Sequence, residues 1–263
     1  MKIKTCLTLL VLTATGLCLT SHGTIIVGET FGGSGGNLGG TTADTFDSAI
    51  GTAGGSATWI ASSFFKDNGD VQAFGNFTRS AWLNLGSYVN DAKGTANGLF
   101  IFTVAISQPA KAGYVSGGFR STSADINSGY TSNGLATAVH HNDDTSSANY
   151  FMGPGTASSD NPGNLTGTVT FTTVLDLRGW DGTTNFGSVT FSNSFNSNTY
   201  TSSYSADRSF QYVGLSTQID GSSDAAVESQ ISTFQLTQVP EPATTAIFIG
   251  LLALGLVAYR RRR

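Results

Sequence analysis

Short apolar runs, each closed by a cluster of turn-forming residues, make up most of this 263-residue chain. Runs such as FIFTVAIS and GTVTFTTVLDL mix alternation with continuous burial, as expected of strands inside a two-sheet core. Gly, Asn, Asp and Ser concentrate in the breaks, for example GGSGGNLGG, NDAKGTANG and GPGTASSDNPGN, where the chain has to turn. Because 39% of the residues are hydrophobic, the chain can bury a sizeable core despite its 33 glycines. The pattern predicts an all-β fold.

Eleven such runs lie between residues 24 and 238. No stretch between them offers three turns of helical periodicity, and no fixed period recurs, which argues against solenoids and propellers. Strands at this spacing favour one β-sandwich over two small domains. The predicted strands are Thr24–Phe31, Ala57–Phe65, Thr78–Leu85, Leu99–Ser107, Gly113–Arg120, Leu135–His140, Leu165–Leu177, Asn185–Ser192, Thr199–Tyr204, Ser209–Ser216 and Ile231–Thr237.

The first 23 residues have the three parts of a secretory signal peptide. Lys2 and Lys4 precede the apolar stretch Cys6–Leu19, and Ser21–Gly23 forms a small-x-small cleavage site. We therefore expect export by the Sec machinery and cleavage by signal peptidase after Gly23. Both cysteines of the chain lie in this segment, so the mature protein is expected to have no disulfide and no cysteine nucleophile.

The chain between the two ends is acidic. Residues 24–239 contain 7 Lys or Arg and 16 Asp or Glu, a net charge of −9. Such a surface repels phosphates, so the charge argues against nucleic-acid binding. It remains compatible with neutral sugars and with divalent cations.

The C-terminus reads VPEPATTAIFIGLLALGLVAYRRRR. Residues 243–259 carry no charge and would extend about 26 Å as a helix, just enough to cross the hydrocarbon core of a bilayer. Arg260, Arg261, Arg262 and Arg263 would stay in the cytoplasm under the positive-inside rule. The lysines at the other end of the precursor lie on the same side, so residues 24–238 would be outside.

The tail has a further feature that a plain membrane anchor does not need. Pro240, Glu241 and Pro242 stand directly before the apolar span, and the arginine cluster follows it. In this order and spacing the last 25 residues resemble the PEP-CTERM sorting signal of Gram-negative bacteria. The resemblance implies recognition and removal of the tail by an exosortase. It also implies transient anchoring in the inner membrane and delivery to the cell surface or an exopolysaccharide matrix. The predicted domains are thus a signal peptide (1–23), an ectodomain (24–238) and a sorting signal (239–263).

A second resemblance covers the ectodomain. The order AWLNL, FIFTVAIS, YFMGPG, TVTFTTVLDLRGW, QYVGLS and ISTFQLT is similar to that in concanavalin-like jelly rolls of exported bacterial proteins. It implies a two-sheet jelly-roll sandwich of the concanavalin or LamG type, with lectin-like and glycanase relatives. It supplies no site residues.

Two motifs resemble catalytic or metal sites. GGSGG matches the G-x-S-x-G nucleophile elbow around Ser34. However, no helix follows it, and nothing in the sequence links it to His140 as a catalytic base. A Gly-rich loop is therefore favoured. HHNDD places His141, Asp143 and Asp144 near one another, yet adjacent side chains on an extended chain face opposite ways, which favours a polar loop at a strand end. No cofactor is expected.

The acidic turns KDNGD and DGSSD are the candidates for Ca²⁺, although neither has the D-x-D-x-D-G spacing.

Glycanases of the jelly-roll type need paired carboxylates. Glu29 and Glu228 are the only glutamates of the ectodomain and lie far apart in the sequence, and Asp176 and Asp181 are five residues apart. No acid/base pair can be nominated, and we expect no catalytic activity.

The three tryptophans are the candidate sugar contacts, because flat apolar rings stack on pyranose faces. Trp59 and Trp82 lie in apolar strands, where a core role is favoured. Trp180 follows a glycine at a turn and is the residue we expect to contact a glycan, if one binds.

The sequence predicts a non-catalytic surface or matrix protein. Alternatives are a carbohydrate-binding lectin-like module and a glycan hydrolase on the same scaffold.

Overall fold

The computed structural model describes residues 23–63, 65–67, 71–73, 79–107, 113–121, 134–142, 147–152, 157–160, 167–196, 198–219 and 229–240. These residues form two β-sheets and two one-turn helices, which confirms the predicted all-β sandwich. Residues 1–22 of the predicted signal peptide and the tail beyond Pro240 lie outside the described residues.

Seventeen strands are described. They are β1 (Thr24–Glu29), β2 (Gly36–Asn37), β3 (Thr45–Phe46), β4 (Ser56–Ala61), β5 (Phe65–Asp67), β6 (Val71–Ala73), β7 (Arg79–Asn84), β8 (Leu99–Ser107), β9 (Gly113–Arg120), β10 (Gly134–Asn142), β11 (Ser147–Phe151), β12 (Ala157–Asp160), β13 (Thr168–Asp176), β14 (Ser188–Asn193), β15 (Thr199–Ser203), β16 (Tyr212–Ile219) and β17 (Ser229–Gln238). Helix α1 (Ser48–Thr52) and helix α2 (Tyr88–Asp91) each make a single turn.

The strands are divided between a large sheet of ten strands and a seven-stranded sheet. The large sheet has the order β15-β14-β13-β8-β17-β6-β5-β2, with β1 also paired to β17 and to β3. The seven-stranded sheet has the order β12-β11-β10-β9-β16-β7-β4. All pairings between these strands are antiparallel.

The core lies between the two sheets, where β10 faces β13 and β8 faces β9. Strand β13 shows how the sequence builds the core. Its alternate residues Val169, Phe171, Thr173 and Leu175 are buried, and the residues between them are partly exposed. Aromatic rings cross the core in edge-to-face and tilted contacts, with centroids 5.1 to 6.2 Å apart. The chain of contacts runs Phe31, Trp59, Phe234, Phe102, Phe119, Phe210 and Tyr204.

The sequence located the long strands well and the short ones poorly. The predictions Leu99–Ser107 and Gly113–Arg120 match β8 and β9 at both ends. The prediction of one strand over Ala57–Phe65 is wrong, because β4 ends at Ala61 in the seven-stranded sheet and β5 starts at Phe65 in the large sheet. The chain turns at Ser62, whose carbonyl oxygen accepts a hydrogen bond from the amide of Phe65 at 3.1 Å. Because serine occurs in both strands and turns, the local sequence does not indicate that the strand ends here.

Two stretches that were predicted to be loops also contain strands. GGSGGNLGG includes β2, which pairs with β5, and GPGTASSDNPGN includes β12, which pairs with β11. Both strands are short and rich in small polar residues. Their pairing comes from a neighbouring strand, a signal that does not exist in the local sequence.

Candidate functional site

The last strand carries the chain directly into the sorting motif. The Gln238 side chain accepts a hydrogen bond from the Tyr88 hydroxyl at 2.8 Å and donates one to the Asn97 carbonyl oxygen at 2.9 Å. The Val239 amide donates to the carbonyl oxygen of Leu99 at 2.9 Å. Strand β17 is an interior strand, bonded to β8 on one side and to β1 and β6 on the other. The motif therefore starts from a fixed point of the fold without a linker.

The two ends of the predicted mature chain lie side by side. Thr24 is the first residue of β1 and is the cross-strand partner of Gln238 on β17. The same end of the sandwich, which we call the terminal end, contains the last residues of β13 and β15 and the first residues of β8 and β14. Helix α2 and the turn around Trp180 also lie there.

The sorting residues themselves are only partly described. Pro240 is exposed and is the last described residue, while Glu241, Pro242, the apolar span 243–259 and Arg260, Arg261, Arg262 and Arg263 lie outside the described residues. Within the part of the chain that the structure describes, no helix has the length and apolar character that crossing a membrane requires.

The turn that contains Trp180 is organised by the next residue, Asp181. Oδ1 of Asp181 accepts hydrogen bonds from the amides of Thr183, Thr184 and Asn185 at 2.8 to 3.0 Å, and Oδ2 accepts one from the Thr184 hydroxyl at 2.8 Å. These donors stabilise the ionised carboxylate and hold the pKa of Asp181 well below its usual range, the Asn185 amide first among them. The hydrogen-bonding capacity of this carboxylate is thus used to hold its own loop.

Trp180 is half-buried and held by two charged side chains. Its indole Nε1 donates to Oδ1 of Asp207 at 3.1 Å, and the Lys93 ammonium lies 5.6 Å from the ring centroid. Lys93 also forms an ion pair with the same Asp207 oxygen at 2.7 Å. Partial burial acts to raise the pKa of Asp207, but the contacts with Lys93 and Trp180 prevail and lower it. A sugar on this ring would have to use the face opposite Lys93 or displace the ammonium.

An open, polar pocket of about 550 Å³ lies beside this turn, at the terminal end. Asp176 and Arg178 form its charged wall, joined by two hydrogen bonds of 3.0 and 2.6 Å that lower the pKa of Asp176. The remaining lining residues are Gly179, Asn185, Gly187, Ser188 and Ser203. Asp176, which the sequence singled out with Asp181, is therefore paired with a cation and not with a second carboxylate.

The structure brings together one carboxyl pair that the sequence did not nominate. Glu29 is 6% exposed, and its Oε2 accepts a hydrogen bond from Trp59 Nε1 at 3.0 Å. Its Oε1 accepts from the amides of Thr30 and Phe31 at 3.2 and 3.1 Å. Asp44, which also contacts Thr30, hydrogen-bonds to Glu29. Burial raises the pKa of Glu29, and the neighbouring Asp44 charge acts in the same direction.

The Glu29–Asp44 pair has the features of a structural contact. Trp59 is 1% exposed and belongs to the inter-sheet core, as predicted. The carboxyl group of Glu29 satisfies the indole and also the backbone of Phe31, a non-glycine residue with a φ of 53°. Asp44 and Trp59 each lie more than fourteen residues from Glu29 in the sequence, so no local pattern could have predicted these contacts.

Trp82 is buried, but it does not point into the core between the sheets. It is 4% exposed and lies outside the inter-sheet cluster, on the opposite face of the seven-stranded sheet. The guanidinium of Arg120 stacks on the indole at 4.4 Å from the ring centroid. Gly214, the cross-strand partner of Trp82, leaves room for the ring, because a Cβ there would lie 2.6 Å from Trp82 Cε3. Trp82 thus packs against a cation, which corrects the predicted core role.

The two histidines of HHNDD lie on β10 and face opposite sides, as the alternation of a strand requires. His140 is fully buried, with Nδ1 3.4 Å from the Ile106 carbonyl oxygen, while His141 contacts the Tyr114 ring on the other face. Asp143 and Asp144 lie outside the described residues, as do Glu228 and the DGSSD turn. Among the described residues no three His, Cys, Asp or Glu side chains are close enough to hold a metal ion.

The GGSGG stretch does not form a nucleophile elbow. The Gly33 amide donates to Oδ1 of Asp67 at 2.8 Å, and the Gly35 amide donates to the Asp67 carbonyl oxygen at 2.6 Å. Ser34 lies in this bend, and the short strand β2 follows where an elbow needs a helix. Asp67, from the KDNGD turn, is thus used to hold the loop.

Comparison with known proteins identifies the tail. Residues 238–263 match the model of the PEP-CTERM protein-sorting motif. The chain carries this sorting signal. A PEP-CTERM motif implies export, processing by an exosortase and sorting to the outside of the cell. No curated protein matches the chain.

Several solved structures share the general shape of the sandwich. The carbohydrate recognition domain of Emp47p is 12% identical, with 69% of this chain and 88% of that domain covered and a TM-score of 0.45. The CBM2 module of Lactobacillus casei BL23 phage J-1 evolved Dit is 14% identical over 83% and 96%, with a TM-score of 0.44. An alginate lyase from Pseudomonas aeruginosa is 12% identical over 77% and 96%, with a TM-score of 0.43. At these values the likenesses carry no argument about function.

Proposed function

We propose that this chain is a non-catalytic structural component of the cell surface or of an extracellular polysaccharide matrix, released there after an exosortase removes its tail. The observation that carries the proposal is the PEP-CTERM match at residues 238–263, which starts at the last residue of β17. The predicted signal peptide at the other end supplies the export step.

The geometry of the terminal end supports a membrane-bound intermediate in this process. Only residues 239–242 separate β17 from the predicted span at Ala243. Four extended residues reach at most about 14 Å, so the sandwich would stand directly on the membrane until the tail is cut. Because Thr24 lies next to Gln238, both processing sites would face the membrane at the same time.

The environments of the candidate carboxylates support a non-catalytic role. Glu29 is buried under Trp59, Asp176 is paired with Arg178, and Asp181 is used by its own loop. A glycan hydrolase needs two carboxyl groups that face a substrate cleft. In the described residues the one carboxyl pair, Glu29 with Asp44, is engaged by indole, hydroxyl and backbone donors.

The test is to locate and weigh the mature protein. Mass spectrometry of extracted surface and matrix material should find a chain that starts near Thr24 and lacks residues 243–263. A variant with Pro240, Glu241 and Pro242 replaced by alanine should stay membrane-bound with its tail intact. Recovery of the intact tail in the wild-type surface protein would refute exosortase processing. If deletion of the gene leaves the matrix unchanged, the proposed structural role is wrong.

A second candidate function is carbohydrate binding at the terminal end. The observation that favours it is the polar pocket beside the Trp180 turn, which offers hydroxyl, amide and charged groups to a sugar. The processed protein should then be retained weakly on a polysaccharide column, and Trp180→Ala should reduce the retention. Phe195→Ala is the matched control, because Phe195 is an exposed aromatic residue on another loop. Equal retention of both variants would exclude Trp180 as the contact, and release of reducing sugar would point to the hydrolase alternative.

A further inference from the structure

Strand β15 is one edge of the large sheet, and β2 stands at the other end of the strand order. Strand β15 pairs with β14 along its whole length, and no described strand pairs with its other side. Its alternate residues Thr199, Thr201 and Ser203 are exposed. A strand in this position presents a row of backbone donors and acceptors to any chain that can pair with it. We propose that β15 is a self-association edge, at which a second copy of this chain adds its own β15 in antiparallel register.

Side-chain contacts on both faces hold the edge strand β15 against its neighbours. Tyr200 turns inward from β15 and stacks on Phe191 and Tyr150, with centroids 6.3 and 6.5 Å away and rings within 18° of parallel. On the outer face, the hydroxyls of Thr190 and Thr201 are hydrogen-bonded at 2.9 Å. The strand is therefore held in extended form before any partner arrives, which lowers the entropy cost of pairing.

The usual protections of an edge strand are missing from β15. Its sequence, TYTSS, contains no charged residue and no proline, which are the residues that normally block pairing at an edge. Strand β4 at the edge of the other sheet is covered instead. Backbone hydrogen bonds of 2.9 Å join Trp59 to Gly40 and Thr41, and Thr42 bridges to Thr58. Unlike β4, β15 has no described segment bonded along its outer side.

Charge explains why a second copy fits this edge. The ectodomain has a net charge of −9, so two copies repel each other over most of their surfaces. Strands β14 and β15 contain no charged residue, and β13 has only Asp176 at its end. Pairing through this neutral strip brings no like charges together. The turn between β14 and β15 adds Phe195, whose side chain is 47% exposed.

The register follows from the alternation of faces. A twofold axis at Thr201 would place Thr201 opposite its own copy and Thr199 opposite Ser203 of the second copy. This register pairs all five residues and keeps the polar residues on the outer face of both sheets. A shift to another centre would lose ladder bonds. Because the paired surface is small, the association is expected to be weak in dilute solution and to rise with concentration.

The inference does not rest on the proposed matrix role, and a cysteine trap tests it directly. Thr201→Cys would place two thiols opposite each other across the twofold axis, within reach of a disulfide. Thr190→Cys is the matched control, since it removes the same threonine pair and lies one strand further in. In the full-length protein under mild oxidation, Thr201→Cys should form dimer about tenfold faster than Thr190→Cys because its effective concentration is higher. Cys6 and Cys18 are common to both variants.

A charge variant gives an independent readout. Thr201→Lys puts two like charges opposite each other, whereas Thr190→Lys adds the same charge away from the edge. Sedimentation over a concentration series should show self-association in the wild type and in Thr190→Lys, and its loss in Thr201→Lys. Equal thermal melting of the two variants serves as the folding control. Equal crosslinking of the cysteine variants, or unchanged sedimentation of Thr201→Lys, would overturn the proposal.

Discussion

The indole Nε1 of Trp59 donates a hydrogen bond of 3.0 Å to Oε2 of Glu29 inside the sandwich. The contact joins β4 of one sheet to β1 of the other. It places an acidic group where burial disfavours its charge, while three N–H donors and the neighbouring Asp44 determine how well that charge is tolerated. Glu29 should therefore contribute to the pH dependence of the stability of the fold.

Glu29→Gln is expected to remove a pH dependence that the wild type has. Because the folded pKa of Glu29 is raised above 4.5, its protonated form is favoured in the folded state. Its contribution to stability is thus fully present below pH 4.5 and is lost as pH rises through the folded pKa. Asp44, with a lowered pKa, acts in the opposite sense below its ordinary range. Urea unfolding of both proteins from pH 4 to 7 measures the effect. A constant difference between them would show that Glu29 does not titrate in this window.

A pair of tryptophan variants separates the indole hydrogen bond from ring packing. Trp59→Phe removes the indole donor to Oε2 of the buried Glu29. In contrast, Trp82 Nε1 has no hydrogen-bond partner in the described structure, so Trp82→Phe removes an unsatisfied group. Both changes delete the same atoms. Trp59→Phe should lower the free energy of unfolding by about 1–3 kcal/mol more than Trp82→Phe. Denaturant titration measures both, and a larger loss for Trp82→Phe would contradict the assignment.

The long strands could be predicted because their signal is local. In β13 the alternation that buries Val169 and exposes its neighbours is written in nine consecutive residues. Trp82 shows where this fails, since all four central residues of β7 are buried and alternation cannot tell which face meets the other sheet. Its outward orientation depends on Gly214 and Arg120, which are more than thirty residues away in the sequence.

The sites could be predicted only where the motif is continuous in sequence. Pro240, Glu241 and Pro242 are consecutive in the sequence, and the match at residues 238–263 confirms the PEP-CTERM motif that contains them. The Glu29–Asp44 pair, the Trp180–Asp207–Lys93 contacts and the pocket at Asp176 are each assembled from distant segments. Nothing in the local composition distinguishes these residues from solvated surface groups.

Asp181→Ala should loosen the turn that carries Trp180 without unfolding the sandwich. The substitution removes the acceptor of three backbone amides, at Thr183, Thr184 and Asn185. Amide hydrogen exchange at these positions should become faster, while exchange in β13 and β14 should not change. Asp181→Asn is the control, because its amide oxygen can still accept these bonds. Unchanged exchange in Asp181→Ala would mean that the loop is held by other contacts.

The adjacency of Thr24 and Gln238 makes a prediction about the ectodomain as a unit. Both ends are secured by the β1–β17 ladder, and both cysteines of the chain lie outside residues 24–238, so this fragment should fold by itself as one cooperative β unit. Its melting should show one transition, and dithiothreitol should not change it. Removing residues 24–29 as well should abolish that transition or lower its midpoint strongly, because β17 then loses a neighbouring strand along its last five residues. Two separate transitions, or a strongly helical circular dichroism spectrum, would mean that residues 24–238 are not a single sandwich.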